Sequence, residues 1–278
     1  MTKGFIVAID GTAGSGKSTT ARKAAEILGF FYLDTGAMYR AITWKIIKSK
    51  IDLCDAESLK KLVANTKIDI TEKKLTTEKK AETNSTTKTR KHEKKEKPLR
   101  TQKNSQIKQE QRHELRIVLD GKDVTKQIRR PEVDGMVSQV SVLPLVRKKM
   151  VKEQQRVVHN RNVICEGRDI GSVVFPHAHL KLYLDCDLNE RTKRREKELK
   201  EKGIKATAKG IKENFLERDY IDSTRTYSPL KKMPDAIFLD TTNLTIEEEV
   251  KIVIDLIKEK LKRQKLTTNN QKPKTIKK

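Results

Sequence analysis

Residues 11–18 read GTAGSGKS, glycines and a lysine in the spacing G-x-x-x-x-G-K-S. The chemistry this spacing suits is phosphate binding. Small residues let consecutive backbone N–H groups close around phosphate oxygens, the lysine neutralises the β- and γ-phosphates, and the serine hydroxyl reaches Mg²⁺. The candidate donor-site residues are Gly11, Thr12, Ala13, Gly14, Ser15, Gly16, Lys17, Ser18 and the adjoining Thr19, with ATP as co-substrate and Mg²⁺ as cofactor. A transferable phosphate needs an acceptor, and three further stretches are rich in charge: YLDTGAMYRA (32–41), CEGRDIGSVVFP (165–176) and ERDYIDSTR (217–225). Taken singly, Arg40 reads equally as a helix-surface charge, Arg168 and Asp169 as an ion pair, and residues 218–225 as a solvated helix face. Taken together they gather Arg40, Arg168, Arg218 and Arg225 at one edge. Planar guanidinium forks there would hold a phosphate acceptor bidentately and offset the repulsion between two anions.

The elements around these residues are of the kind that would bring them to that edge. Residues 5–9 are a short apolar run ahead of the glycine loop, as a buried parallel strand requires. After the loop, Ala21, Ala24, Ala25 and Leu28 recur at helical spacing and Gly29 can end the helix. Strand, loop and helix therefore follow in the order that puts phosphates at a helix N-terminus. Apolar runs at 31–33, 163–165, 180–184 and 236–239, separated by helical patterns, bring the count to five. The expected fold is α/β: a P-loop kinase with a five-stranded parallel sheet flanked by helices, right-handed crossovers, and ligands at the carboxyl ends of the strands. Residues 68–71 and 115–119, followed by DGKDVT, predict a small antiparallel unit with an Asp-Gly turn.

Composition shows why only 35% of the 278 residues are hydrophobic. Residues 73–112 hold fourteen Lys/Arg against five Asp/Glu, with Leu75, Ala81, Leu99 and Ile107 as their apolar side chains; residues 258–278 hold nine Lys/Arg against one Glu. The first segment buries too little apolar surface to offset ordering entropy, so it is expected to be disordered or weakly ordered. The two segments carry seventeen of the net +24 charges and leave +7 for the rest. Attraction to nucleic acid is the competing reading of that charge. It is disfavoured because neither segment has aromatic residues on which bases could stack. Cys54, Cys165 and Cys186 have no metal-ligand spacing, and no apolar run approaches eighteen residues. The expectation is a cytoplasmic protein without membrane span or signal peptide, binding small nucleotides as a monomer.

With IDGTAGSGKST, FYLDTGAMYRA, SQVSVLPLVR, CEGRDIGSVVFP and ERDYIDSTRTYSPL in this order, the chain resembles the bacterial cytidylate kinases, nucleoside monophosphate kinases related to adenylate kinase. The resemblance spans residues 4–72 and 114–262. It implies that Arg40, Arg168 and Arg225 hold the monophosphate of CMP, that Ser138, Arg147 and Asp169 face cytosine, and that Arg218 and Asp222 reach the sugar. Thr35 and Tyr39 would line the acceptor pocket. Lys17, Arg40, Arg168 and Arg225 would act in transfer, and Arg191 and Arg194 would swing onto ATP from the lid. On this view residues 1–264 form the kinase domain, with a β subdomain at 66–130, its basic insert at about 73–112 and a lid at 189–219, ahead of a basic disordered tail at 265–278. The chain departs from the pattern at Thr12, where many members have Pro, at His177, where many have an acid, and at Glu166, where some have Asp. Glu166 would hold Mg²⁺ through water.

The residues themselves supply reasons beside the resemblance. A carboxylate such as Asp169 accepts from the exocyclic amino group of cytosine and repels the carbonyl of uracil. No general base is evident and none is needed, because a monophosphate oxygen is already ionised near neutral pH; positioning and charge neutralisation would carry the reaction. Another small acceptor (UMP, AMP or shikimate) and an RNA-associated P-loop ATPase stay open as alternatives. A GTPase is disfavoured by the absence of an Asn-Lys-x-Asp pattern.

Overall fold

The computed structural model describes residues 4–76 and 111–270. Five parallel strands form the main sheet: β1 (Ile6–Gly11), β2 (Phe31–Asp34), β6 (Val163–Glu166), β7 (Leu180–Asp185) and β8 (Ile237–Asp240), in the order β2-β6-β1-β7-β8. The central β1 is buried along its whole length. Ile6 and Ala8 point to one core, and Phe5, Val7 and Ile9 to the other, as a strand covered on both faces must. Helix α1 (Lys17–Leu28) packs with α8 (Ile246–Asn270) on one face. On the other face lie α2 (Thr35–Lys48), α3 (Ala56–Ala64), α4 (Pro131–Ser141) and α5 (Pro144–Val158). Helices α6 (Leu188–Glu201) and α7 (Ala208–Thr224) pack on each other over the phosphate loop.

Local chemistry sets the ends of these elements. Helix α1 stops at Gly29, whose φ of +66° a Cβ would disfavour, while Phe30 N–H returns to Ala25 O at 2.9 Å. At its start no side chain caps α1, so its first N–H groups are left for an anion. Asp34, the last residue of β2, caps α2 by accepting from Ala37 N–H at 2.8 Å.

The second sheet is antiparallel: β3 (Ile68–Thr76), β4 (Gln111–Leu119) and the two-residue β5 (Lys122–Asp123). The expected Asp-Gly turn joins β4 to β5 through Asp120 at φ +48° and Gly121 at φ +80°. Ile68, Ile70, Ile117 and Leu119 enter the same core as α2 and β6, so this sheet has no separate interior. Two boundaries differ from expectation. The β3–β4 ladder continues to the Thr76–Gln111 pair, inside the segment read as disordered, because ladder hydrogen bonds need no apolar side chains once Ile70 and Ile117 fix the register. Helix α8 runs to Asn270 and takes in the first six residues of the expected tail. The remaining insert, 77–110, and tail, 271–278, lie outside the described residues.

Candidate active site

One cavity of about 1580 Å³ opens along the carboxyl ends of the main sheet, from the phosphate loop to α4 and α5. All the donor and acceptor residues named from sequence line it except Gly11 and Thr12, which stand at the end of β1 behind the loop.

At the donor end the loop joins β1 to α1. Among the described residues, the backbone N–H groups of Gly14, Ser15, Gly16, Lys17 and Ser18 have no hydrogen-bond partner in the protein. Five such donors in sequence at a helix N-terminus form a nest for an anion. Lys17 is buried and donates to Thr12 O and, at 3.1 Å, to Ser15 Oγ. Burial, and then the nearby Arg168, lower its pKa to about 7. Ser18 Oγ donates to Glu166 Oε1 at 2.7 Å, and Tyr32 Oη donates to the same oxygen at 3.1 Å. Burial first, and then Asp34, push the Glu166 carboxyl above its usual range. A hydroxyl and a carboxylate in contact are hard oxygen donors suited to Mg²⁺. Among the described residues no group of three or more His, Cys, Asp or Glu side chains forms a metal cage.

The lid arginines lie at this end. Arg191 donates to Ala13 O at 2.8 Å and pairs with Asp219. Arg194 donates to the carbonyls of Thr241 (2.7 Å) and Leu244 (3.1 Å), and to Glu190 and the fully buried Glu249 at 3.2 Å each. Thr20 Oγ1 also donates to Glu249, at 2.6 Å.

The acceptor end is built from five elements. Arg40 comes from α2 and donates to Asp134 at 3.0 Å; Thr35, also on α2, donates to the Glu166 carbonyl at 2.8 Å. Arg168 and Asp169 follow β6, where Asp10 accepts the N–H groups of Ile170 and Gly171 at 2.7 Å each and fixes the turn behind them. Arg147 of α5 pairs with Asp169, both deeply buried, and lies 5.6 Å over the Tyr39 ring. From α7, Asp222 accepts from Arg168 at 2.8 Å and from Arg225 at 3.3 Å. Ser138 of α4 lines the cavity without a side-chain contact to these groups.

Arg218 differs from its neighbours. It forms no hydrogen bond or ion pair among the described residues, and burial, followed by Arg168 and Arg40, lowers its pKa to about 10. Tyr39 Oη and Arg225 Nη2 are buried without a hydrogen-bond partner, the latter 3.7 Å from Asp169 Oδ1. Buried polar groups are normally satisfied, so unmet donors converging in a cavity point to a polar anionic ligand.

Several residues at this site escaped the sequence reading: Asp10, Tyr32, Asp34, Arg129, Asp134, Asp219 and Glu249. Asp34 and Asp219 stand inside motifs already singled out, and only the fold shows what they touch.

Comparison with known proteins gives a consistent result. The family model described as cytidylate kinase matches residues 7–95 and 88–259. Proteins named cytidylate kinase are similar to nearly the whole chain. That of Caldanaerobacter subterraneus subsp. tengcongensis is 38% identical over 256 residues, 92% of this chain and 96% of its own length. That of Chloroherpeton thalassium is 39% identical over 264 residues, 92% and 94% of the two chains. That of Fusobacterium nucleatum subsp. nucleatum is 38% identical over 261 residues, 94% and 99%.

Proposed function

Because the chain belongs to the cytidylate kinase family, a family of CMP kinases that use ATP, we propose that its cavity holds the two nucleotides end to end. ATP lies with its phosphates in the 14–18 nest, and CMP or dCMP with its phosphate among Arg40, Arg168, Arg218 and Arg225. The observation that carries this reading is Arg218, a desolvated guanidinium without an acidic partner beside two more arginines, in the cavity that starts at the phosphate loop. Such a group is stabilised by an incoming dianion.

Transfer then rests on positioning and charge. Lys17 exchanges its contacts with Thr12 and Ser15 for donor oxygens, and the arginines align the acceptor oxygen for in-line attack. Ser18 and, through water, Glu166 would hold Mg²⁺, which when bound neutralises charge on the donor phosphates. Arg191 and Arg194 shield the donor end as the lid excludes water. Asp169, held by Arg147, presents a carboxylate to the cytosine amino group, and Arg147 keeps its orientation fixed. Among the described residues no helix is long and apolar enough to cross a membrane.

The test is a coupled assay with ATP and Mg²⁺ and with CMP, dCMP, UMP and AMP each as sole acceptor. Rapid turnover of CMP and dCMP and slow turnover of the others is expected, and Asp169→Asn should narrow the gap between CMP and UMP. Turnover with another acceptor alone would overturn the base-site reading.

A further inference from the structure

The phosphate loop is gripped from outside at one residue, Ala13, through the peptides on both sides of it. Asp219 Oδ1, on α7, accepts the Ala13 N–H at 2.9 Å, and Arg191 Nη1, on α6, donates to the Ala13 carbonyl at 2.8 Å. The two side chains pair with each other. One helical turn before Asp219, the Phe215 ring lies against Gly14 so closely that a Cβ there would meet Cζ at 2.7 Å. The Arg191 guanidinium sits 5.6 Å over the same ring. Ala13, Ile211 and Phe215 form a small apolar cluster beneath this contact. Both lid helices therefore fasten to residues 13 and 14, next to the first free N–H of the nest.

A carboxylate beside a polyphosphate would ordinarily repel it. Here Arg191 neutralises the charge while Asp219 supplies the acceptor that Ala13 N–H needs. The geometry points to Asp219 as a positioning residue for the donor phosphates: it fixes the Ala13 peptide, so that the N–H groups from Gly14 onward converge, and it ties that orientation to the lid. This inference rests on the reading of the 14–18 nest as the ATP site. It is independent of which acceptor is used, because the latch makes no hydrogen bond or ion pair with the acceptor residues and acts on Arg168 only through the more distant charge of Asp219.

The experiment measures direct binding of ATP and of CMP by calorimetry, together with thermal unfolding, for wild type, Asp219→Asn and Asp219→Ala. The isosteric Asn keeps an oxygen for Ala13 N–H and loses the charge that pairs with Arg191; Ala loses both. The expected outcome is a graded rise in the ATP dissociation constant, roughly threefold to tenfold for Asn and up to about a hundredfold for Ala. CMP affinity should stay within about twofold, with Asn melting near wild type. In an Arg191→Lys background the Asp219→Asn effect should shrink, since the pair is already weakened. Unchanged ATP affinity in both variants would overturn the latch, and so would equal losses for ATP and CMP that track a fall in melting temperature. Failure of wild type to phosphorylate CMP would instead strike the acceptor reading and leave the ATP measurement standing.

Discussion

The two ends of the cavity differ in how completely the protein engages their cations, for at the acceptor end acids hold Arg40, Arg168 and Arg225 but not Arg218. At the donor end the cations are engaged by the protein itself: Lys17 by Thr12 O and Ser15, Arg191 by Asp219 and Ala13 O, Arg194 by Glu190, Glu249 and two carbonyls. At the acceptor end Arg218 has no partner among the described residues, and Arg225 Nη2 and Tyr39 Oη are buried without a hydrogen bond. The difference separates two kinds of phosphate site. The acceptor end stores unmet charge that an anion satisfies, which is electrostatic preorganisation at some expense of stability. On the proposed reading, ATP at the donor end fills the free N–H groups of the nest, while Lys17 gains only by exchange, since its new contacts replace those it already makes with Thr12 and Ser15.

The sharpest way to break this contrast is to remove one arginine from each end. Arg218→Ala discards a repelled, unpaired cation and strands no acid. Activity and stability should therefore part: kcat/KM for CMP falls by roughly 10²–10³, while the melting temperature holds or rises. A melting temperature that falls with activity intact would make Arg218 structural. Arg194→Ala does the reverse, leaving the fully buried Glu249 with Thr20 alone. Because Arg194 is partly exposed, the loss should fall below the roughly 3–5 kcal/mol typical of a broken buried pair, at about 2 kcal/mol or roughly 4–8 °C in Tm. Adding Glu249→Gln should recover part of it, since the stranded charge is then gone. A double variant less stable than Arg194→Ala would locate the loss elsewhere.

Proton uptake probes the donor end by itself. In the free protein burial, and then Arg168, hold Lys17 near pKa 7, so at pH 8 most of it is neutral. Anionic phosphates favour its charged form and raise that pKa, so binding must take up protons and affinity must fall as pH rises past 7. The expected decline for ADP, a ligand of the same site, is up to about tenfold per pH unit between about 7.5 and 9, with calorimetry at pH 8 in two buffers reporting uptake of close to one proton. A flat profile would mean that Lys17 stays charged in the free protein and that the donor end is already primed.

The same contrast explains what the sequence disclosed. The phosphate loop and the arginines that line the cavity are legible because residue type and spacing carry their chemistry locally. Strands β1, β2 and β6 are legible because burial on both faces demands apolar runs, which the exposed edge strand β8 keeps without that burial. Asp219 was hidden by its neighbour. It follows Arg218 in one helix, and successive residues on a helix point about 100° apart, so one turns to the acceptor end and the other to Ala13. Glu249 closes a run of three glutamates that reads as an ordinary acidic helix start, and only the packing of α8 on α1 buries the third. Tyr32 sits in a run that reads as core, yet its hydroxyl reaches Glu166. Each case turns on which way a side chain faces once distant elements meet, a fact that spacing along the chain does not hold.

The smallest effect should come from removing the basic insert. Strands β3 and β4 are paired out to Thr76 and Gln111, so a two-residue Asn-Gly turn can join those partners in place of residues 77–110. The apolar side chains that anchor this hairpin, Ile68, Ile70, Ile117 and Leu119, all lie inside the retained part. The shortened chain should keep kcat/KM within about threefold, because loop length enters stability only logarithmically and every described residue that lines the cavity is retained. Leu115 and Ile117 of β4 do line the cavity, on the side of α2 and α4. Any residual defect should therefore appear in KM for CMP and leave KM for ATP unchanged. A loss above a hundredfold with melting temperature intact would defeat this view and give the insert a part in catalysis; a defect in ATP alone would mean that the hairpin reaches the donor end by a route the two-ended division of the cavity does not contain.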